Sequence, residues 1–466
     1  MSSDDGSTCT SQGVAIARAE AAPPAFDPAA PTEPRRTSAL AALRYREYRL
    51  FWFGMLVSNT GTWMQMFGQG YLVVQLAIRD GVPQLAPLYL GLVGLARAVP
   101  GLTLGLFGGA VADRADRRRL LMVTQTSAAG TAGILAALTI AGQITIVEIV
   151  LLGAISSMIF AFDAPTRQAM VPRLVPERDL MSAIGLNSAA FNGPQIFGPV
   201  IGGFIFVPFA SPTTGAGVLF GVNALSYLAV VAALLAMGPI ANAQRRGDLS
   251  VLESIREGLG YIRREPVLRW VVILSAAVAL LGRPYLQLLP AVAHDRLHVG
   301  AVELSWLLGA AGVGSLAGAI ATAASGNMRR RGLLLVGAGI VLGLLLAIFT
   351  MQRELPGALV VLVLFGFVTM LFMGVVQTLL QTRSPDHLRG RVMSVQTMLF
   401  MGFMPLGTML LGSLGTAVGL DRALFAAGIV VAAVALFAAI RVAPLRGAMA
   451  EPGARRRPRA TPARTS

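Results

Sequence analysis

Several absences narrow the reading before any motif is found. The chain of 466 residues holds one cysteine, Cys9, and three histidines, His294, His298 and His387. A single cysteine excludes a disulfide framework or a cysteine-rich metal site. Three histidines leave little for a His-based metal centre. Lysine is absent, so all 38 basic residues are arginines. Charged residues amount to 13%, against about 25% in an ordinary soluble domain. No phosphate-binding loop is present, so the chain would not power an ATP-driven pump by itself. Nothing resembles a hydrolase triad, and no metal or cofactor is implied.

What is abundant is apolar surface: 55% of residues are hydrophobic and 52 are glycine. Disordered chains lack such residues, so disorder is excluded over most of the length and a polytopic membrane protein remains. Twelve apolar runs approach the ~20 residues that cross a bilayer. They cover 50–76, 88–111, 120–141, 144–162, 181–207, 215–237, 270–292, 301–324, 333–351, 356–380, 393–418 and 423–442. Lipid leaves only helices or closed barrels as spanning structures. Runs of this length exceed barrel strands, so an all-α fold is expected.

The arginines fall in short clusters between these runs, the pattern of membrane topology and not of nucleic-acid binding. With both termini cytoplasmic, 32 arginines lie inside; Arg79, Arg296, Arg353 and Arg422 lie outside, and Arg97 and Arg283 lie within spans. This topology divides the chain into domains. Residues 1–42 form a disordered cytoplasmic tail, and 43–237 a six-helix unit. Residues 238–269 form a cytoplasmic connector, 270–443 a second six-helix unit, and 444–466 a basic disordered tail. The halves look like repeats: Arg117–Arg119 follow span two, and Arg329–Arg331 follow span eight. Internal repeats with a midplane site are the architecture of secondary transporters. In the connector, Ser250 and Glu253 make a capping-box pattern, and Leu252, Ile255, Leu259 and Ile262 form an apolar stripe. Such a helix would lie on the membrane face or pack under the bundle.

The loop after span two reads Gly109-Ala-Val-Ala-Asp113-Arg114-Ala-Asp116-Arg117-Arg118. It resembles the G-x-x-x-D-R-x-G-R-R signature of the major facilitator superfamily, with Asp116 where that signature has glycine. The resemblance implies twelve transmembrane helices in two pseudo-symmetric six-helix bundles. It also implies a conformational latch built on Gly109, Asp113, Arg114, Arg117 and Arg118, with Asp163 at the inner end of span four joining it. Physically, such ion pairs can close in one state and open in the other. Span five carries Gly198-Pro199-Val200-Ile201-Gly202-Gly203, similar to the antiporter motif of drug–proton antiporters; small residues there let helices approach closely.

Further stretches extend the resemblance to the enterobactin-exporter-like and macrolide-efflux-like permeases over roughly 43–442. They include Tyr48-Arg-Leu-Phe-Trp52, Phe162-Asp-Ala-Pro-Thr-Arg-Gln168 and Leu388-Arg-Gly-Arg-Val-Met-Ser394. The resemblance implies a secondary active transporter, not an enzyme. It would export a drug or siderophore-like molecule by proton-coupled alternating access, from the plasma membrane of a bacterium and as a monomer. Its partners are a small-molecule substrate, protons and the lipid bilayer, without nucleic acid. An importer or uniporter of the same fold, or a non-transporting scaffold or sensor, stays open as an alternative.

Ionisable groups inside spans are candidate functional residues. Arg97 and Arg283 would face a cavity and favour an anionic or carboxylate-bearing substrate, unless they snorkel or pair structurally. Asn59, Thr62, Trp63, Gln69, Asn192, Tyr285, Gln287 and Gln377 complete the candidate cavity. Glu148 in span four is the candidate proton-coupling acid, with an interfacial carboxylate as the alternative.

Overall fold

The computed structural model describes residues 38–209, 211–238, 251–324 and 331–441; within these, the side chains of 106–110, 112–114 and 251–255 stand outside the description. Most of both expected tails, and the first part of the connector, also fall outside it.

Among the described residues the chain forms fifteen α-helical segments and no strands. They are α1 (Arg46–Arg79), α2 (Ala86–Arg114), α3 (Arg117–Ile140), α4 (Ile146–Met170), α5 (Leu180–Asn192), α6 (Pro194–Phe206), α7 (Pro212–Ala236) and α8 (Val251–Arg264). The remainder are α9 (Pro266–Ala277), α10 (Tyr285–Asp295), α11 (Ala301–Ala324), α12 (Arg331–Met351), α13 (Leu355–Arg383), α14 (Asp386–Val418) and α15 (Leu420–Arg441). Helix ends obey local chemistry. Asp116, in the place of the signature glycine, caps α3 by accepting from the Arg119 amide at 3.0 Å. Thr145 and Glu148 form a capping box on α4. Gly81, Gly142 and Gly419 adopt positive φ after α1, α3 and α14, where a side chain would be strained.

Among the described residues ten helical stretches are long and apolar enough to cross a membrane, α9 and α10 counting as one. Two expected spans are not among these ten. α1 is long enough at 34 residues but carries Asn59, Thr60, Thr62, Gln65 and Gln69. The fifth expected span is divided at Gly193 into two 13-residue helices, because Pro194 lacks the amide that would continue the ladder. The seventh is interrupted too: a π-helical turn, Val278–Gly282, separates α9 from α10.

The outer surface is apolar. Phe197, Phe204, Leu225, Ile320, Val360 and Ile440 are all exposed, far beyond what a soluble monomer tolerates. Lipid supplies no hydrophobic drive for helix association, so packing rests on small residues and close contact. α11 and α13 meet this way: Cβ atoms at Gly314 and Gly318 would run into the carbonyls of Val363 and Phe367. Gly343 of α12 and Gly428 of α15 oppose each other similarly. Within the first half α2 packs on α4 and α3 on α7; within the second α11 packs on α13 and α12 on α15. Two seams join the halves, α2 with α14 and α6 with α11.

The starts of α1, α3 and α5 meet the end of α7 at one end of the molecule, here the terminal end. Tyr48 Oη donates to the Ala183 carbonyl at 2.8 Å, and Arg118 Nε to the Leu234 carbonyl at 2.8 Å. Residues assigned to the tail from sequence take part: Ala42 is buried, and its amide donates to Ser182 Oγ at 3.2 Å.

The connector helix α8 packs against α14. Ile262 is buried, Tyr261 Oη donates to the Arg383 carbonyl at 3.3 Å, and Glu257 pairs with Arg391. Leu259 of the apolar stripe stays exposed. Gly258 sets the approach, since a Cβ there would lie 2.7 Å from the Arg391 carbonyl oxygen. Gly258→Val should therefore push α8 off α14 and destabilise the protein by about 1–3 kcal/mol, the usual range for overpacking. Trypsin should then cut faster at Arg256, Arg263 and Arg264, and thermal unfolding in detergent should shift down. Digestion at the wild-type rate would mean that α8 is not held by this contact.

Candidate functional site

A cavity of ≈1080 Å³ lies between the halves, lined by α1, α2, α4 and α6 on one side and α10, α11, α13 and α14 on the other. Along α2 it runs from Leu90 to Gly105, about 22 Å at helical rise. The seams close one end of it. A Cβ at Gly91 would stand 2.9 Å from the Met409 Cα, and one at Gly412 would run into the Pro87 carbonyl. α6 meets α11 at the same end, where Gly203 faces Ser305. Towards the terminal end the halves part: a Cβ at Gly105 would meet nothing within 4 Å. The cavity is thus a wedge, shut at the far end and widening towards the end where α1 starts and α7 finishes. Helix prolines cluster around it, with Pro165, Pro199, Pro290 and Pro405 all in its lining, where each frees a backbone carbonyl and bends its helix.

Six of the ten expected cavity residues line it: Trp63, Gln69, Arg97, Arg283, Tyr285 and Gln287. Arg97 lies midway along α2 and donates from Nη2 to Gln69 Oε1. Gly153 of α4 makes room for it, with a Cβ there falling 3.5 Å from Arg97 Nε. Arg283 comes directly after the π-turn, and its amide donates to the Val278 carbonyl at 2.9 Å, five residues back. The extra residue in that turn changes the direction in which later side chains leave the helix. Gly407 of α14 packs on the same turn, where a Cβ would run into the Leu280 carbonyl. Tyr285 is buried, its ring set edge-on to Phe365 at 4.5 Å. A guanidinium at the centre of a span costs roughly 2.5–3.5 kcal/mol on the insertion scale. Among the described residues neither Arg97 nor Arg283 forms an ion pair, and the lining includes no Asp or Glu.

A second, smaller cavity of ≈160 Å³ lies within the first half, lined by Asn59, Thr62, Asp163, Arg167 and Tyr227 among others. Asp163 is 1% exposed. It pairs with Arg167 one helical turn away and accepts from Thr124 Oγ1 at 2.9 Å and Gln125 Nε2 at 2.6 Å. Arg167 Nη1 donates to Asn59 Oδ1 at 3.1 Å, and Asn59 Nδ2 to the Ala190 carbonyl at 2.9 Å. Trp63, Met66 and Phe160 line both cavities and form the wall between them.

The remaining expected residues fall elsewhere. Asn192 is exposed and donates to the Ser188 carbonyl, while Gln377 is exposed on α13; neither lines either cavity. Their polarity had marked them, but each stands on the exposed side of its helix. Glu148 accepts from Thr145 in the capping box, at the exposed start of α4 and outside both cavities. The side chains of Gly109, Asp113 and Arg114 lie outside the described residues. Arg117 Nη1 donates to the Ala169 carbonyl at the end of α4. In the antiporter-like motif, Gly198 and Gly202 pack on Trp63 and Phe67 of α1, Gly203 on α11, and Pro199 reaches the cavity. Sequence reasoning placed Met66 on the polar face of span one but missed the wall that Met370, Met393, Met398, Met401 and Met404 add to it. The run of methionines along α14 at near-helical spacing was its available signal; such side chains adapt to varied apolar shapes.

An all-helical bundle with a lipid-facing exterior and a wedge cavity between two sets of helices is a multi-pass membrane transporter of small molecules, not an enzyme. A family model described as transmembrane secretion effector matches residues 37–459. The chain belongs to that family, within the major facilitator superfamily. It is 29% identical over 385 residues to the multidrug efflux pump Tap of Mycolicibacterium fortuitum, covering 81% of this chain and 91% of that protein. It is 26% identical to the staphyloferrin A transporter of Staphylococcus aureus, covering 79% and 89%. Among solved structures it shares the fold of a bacterial Spinster homologue in its inward-facing, unoccupied conformation, at a TM-score of 0.63 and 15% identity over 85% of this chain and 97% of that one. It likewise shares the fold of a D-xylose–proton symporter, at 0.64 and 14% over 84% and 97%.

The buried pair gives a quantitative expectation. Asp163→Asn leaves Arg167 buried without its counter-charge and should destabilise the protein by about 3–5 kcal/mol. Adding Arg167→Gln should restore a large part of that loss. Thermal unfolding of the two single variants and the double variant measures the coupling; additive losses would mean that the pair acts as two independent groups.

Proposed function

We propose that this protein is a proton-coupled exporter of small organic molecules, drug-like or siderophore-like, working by alternating access between two six-helix bundles. The observation that carries the reading is the wedge itself, closed at the far end and open at the terminal end, in a chain related to efflux and siderophore transporters. Counting α1 and the α5–α6 pair as spans brings the ten apolar crossings to twelve. The excess of arginines in the loops of the terminal end supports a cytoplasmic placement of that end and of both termini. The open wedge is then the state that loads substrate from the cytoplasm.

Export requires the seams at the far end to part and the terminal end to close. Gly198, Gly202 and Gly203 lie where α6 touches both α1 and α11, a junction of small residues suited to sliding. The 2–3 loop, with Asp113, Arg114, Arg117 and Arg118, would latch the terminal end when it closes. Asp163 is the buried acid that shares a wall with the cavity, through Trp63 and Phe160. That position lets a substrate in the cavity bear on the pair that Asp163 makes with Arg167. Glu148, held in an exposed capping box, is better suited to fixing the start of α4.

The test is transport against a gradient. In inside-out vesicles with an acidic interior, a substrate drawn from siderophores and antibiotics should accumulate inside. Its entry should discharge the pH gradient, read as recovery of a quenched pH-sensitive dye. Accumulation that survives an uncoupler would overturn proton coupling, and equilibration without accumulation would indicate a uniporter. Movement only in the opposite direction would indicate an importer.

A further inference from the structure

We propose that the cavity contains a two-pronged anion site, in which Arg97 from one half and Arg283 from the other grip two acidic groups of a single organic molecule. The transported compound is then a di- or polyacid with an apolar body. The proposal deepens the proposed transport function and rests on it.

The first support is charge. The two guanidiniums line one cavity, no acid is found in its described lining, and neither enters an ion pair among the described residues. Arginine keeps its proton in proteins, so the positive charge awaits a partner from outside the chain. The surroundings of each residue argue against snorkelling. Arg97 is directed onto Gln69 of α1 and beside Gly153 of α4, deep between helices. Arg283 stands behind the π-turn against which α14 packs through Gly407.

The second support is the set of buried polar atoms in the lining that have no hydrogen-bond partner within the protein. Gln69 Nε2 and Arg283 Nε are donors, Thr369 Oγ1 can donate, and Gln287 Oε1 is an acceptor. Gln287 approaches α2 one turn before Arg97, its Oε1 2.7 Å from where a Cβ of Gly94 would stand. Donors therefore predominate and come from both halves, which suits acceptor-rich acids and not cations. A guanidinium offers a planar fork that matches a carboxylate. The methionine wall takes the apolar remainder of the ligand. Because the two arginines belong to different halves and line one cavity, a molecule with two acidic groups can give each guanidinium its own carboxylate, whereas a monoacid supplies one carboxylate for both.

Naphthalene-2,6-dicarboxylate, its monomethyl ester and its dimethyl ester share one apolar body and carry two, one and no negative charges. Equilibrium dialysis of the purified full-length protein against each should give an affinity that falls about tenfold or more with each ester. That is the scale of one hydrogen bond to a charged group. Arg97→Gln and Arg283→Gln should each reduce the dianion to the level of the monoester. Arg97→Lys and Arg283→Lys, which keep the charge and lose the fork, should recover part of the preference. Thermal unfolding of each variant checks that it is folded. Equal binding of the three probes, no binding of the dianion, or a preference that survives both glutamine variants would overturn the proposal. A preference that depends on both arginines, in a protein that exports nothing on a proton gradient, would uphold the anion site and reject the export reading.

Discussion

The contact on which the rest of the molecule depends is the meeting of α2 with α14 and of α6 with α11 at the far end. Lipid gives apolar side chains no reason to leave it, so these seams are held by close packing and not by the hydrophobic effect. Gly91, Gly412 and Gly203 bring backbone against backbone or against a short side chain. Where the small residues face a partner the halves touch. Where they face open space, as at Gly105, the halves diverge, and the wedge cavity is the consequence. Its shape derives from the placement of a few side chains no larger than a hydrogen atom.

Irregular helices surround that wedge. Pro194 divides one crossing, the π-turn at Val278–Gly282 divides another, and four further prolines stand in the lining. Broken backbone is tolerated at membrane depth where it is buried in protein or lines a cavity, and here it borders the cavity. The π-turn has a second effect. It precedes Arg283 directly, so the helix that supplies the second guanidinium is also the one whose register has shifted. A charged residue in a regular lipid-facing turn would have to reach for the interface.

The ion pair of Asp163 and Arg167 is separate from the cavity arginines and satisfied in a different way. Asp163 has Thr124 and Gln125 as additional donors, and Arg167 has Asn59 as an acceptor. The pair is thus compensated within one half, whereas Arg97 and Arg283 have no carboxylate partner among the described residues. The wall of Trp63, Met66 and Phe160 separates the two environments. A ligand pressing on Trp63 therefore presses on the lid of a buried charge network. Gly198 of the antiporter-like motif lies against the same tryptophan.

Much of this was legible in the linear chain. Long apolar runs and clustered arginines determined an all-helical membrane protein, because no other backbone arrangement satisfies its hydrogen bonds in lipid. The order of glycine, aspartate and arginines after α2 pointed to the family. Arg97 and Arg283 stood out because charge within an apolar run is rare. Tertiary structure alone decided which polar residues share a space. Asn59 and Thr62 sit behind Trp63 in a separate cavity, Asn192 and Gln377 point away, and the methionines of α14 turn inward. The reason is rotational. A side chain's direction depends on the helical phase and on how the helix is turned against its neighbours, and packing sets that turn. Composition determines that a segment lies in the membrane; only the packed helices determine which way it faces.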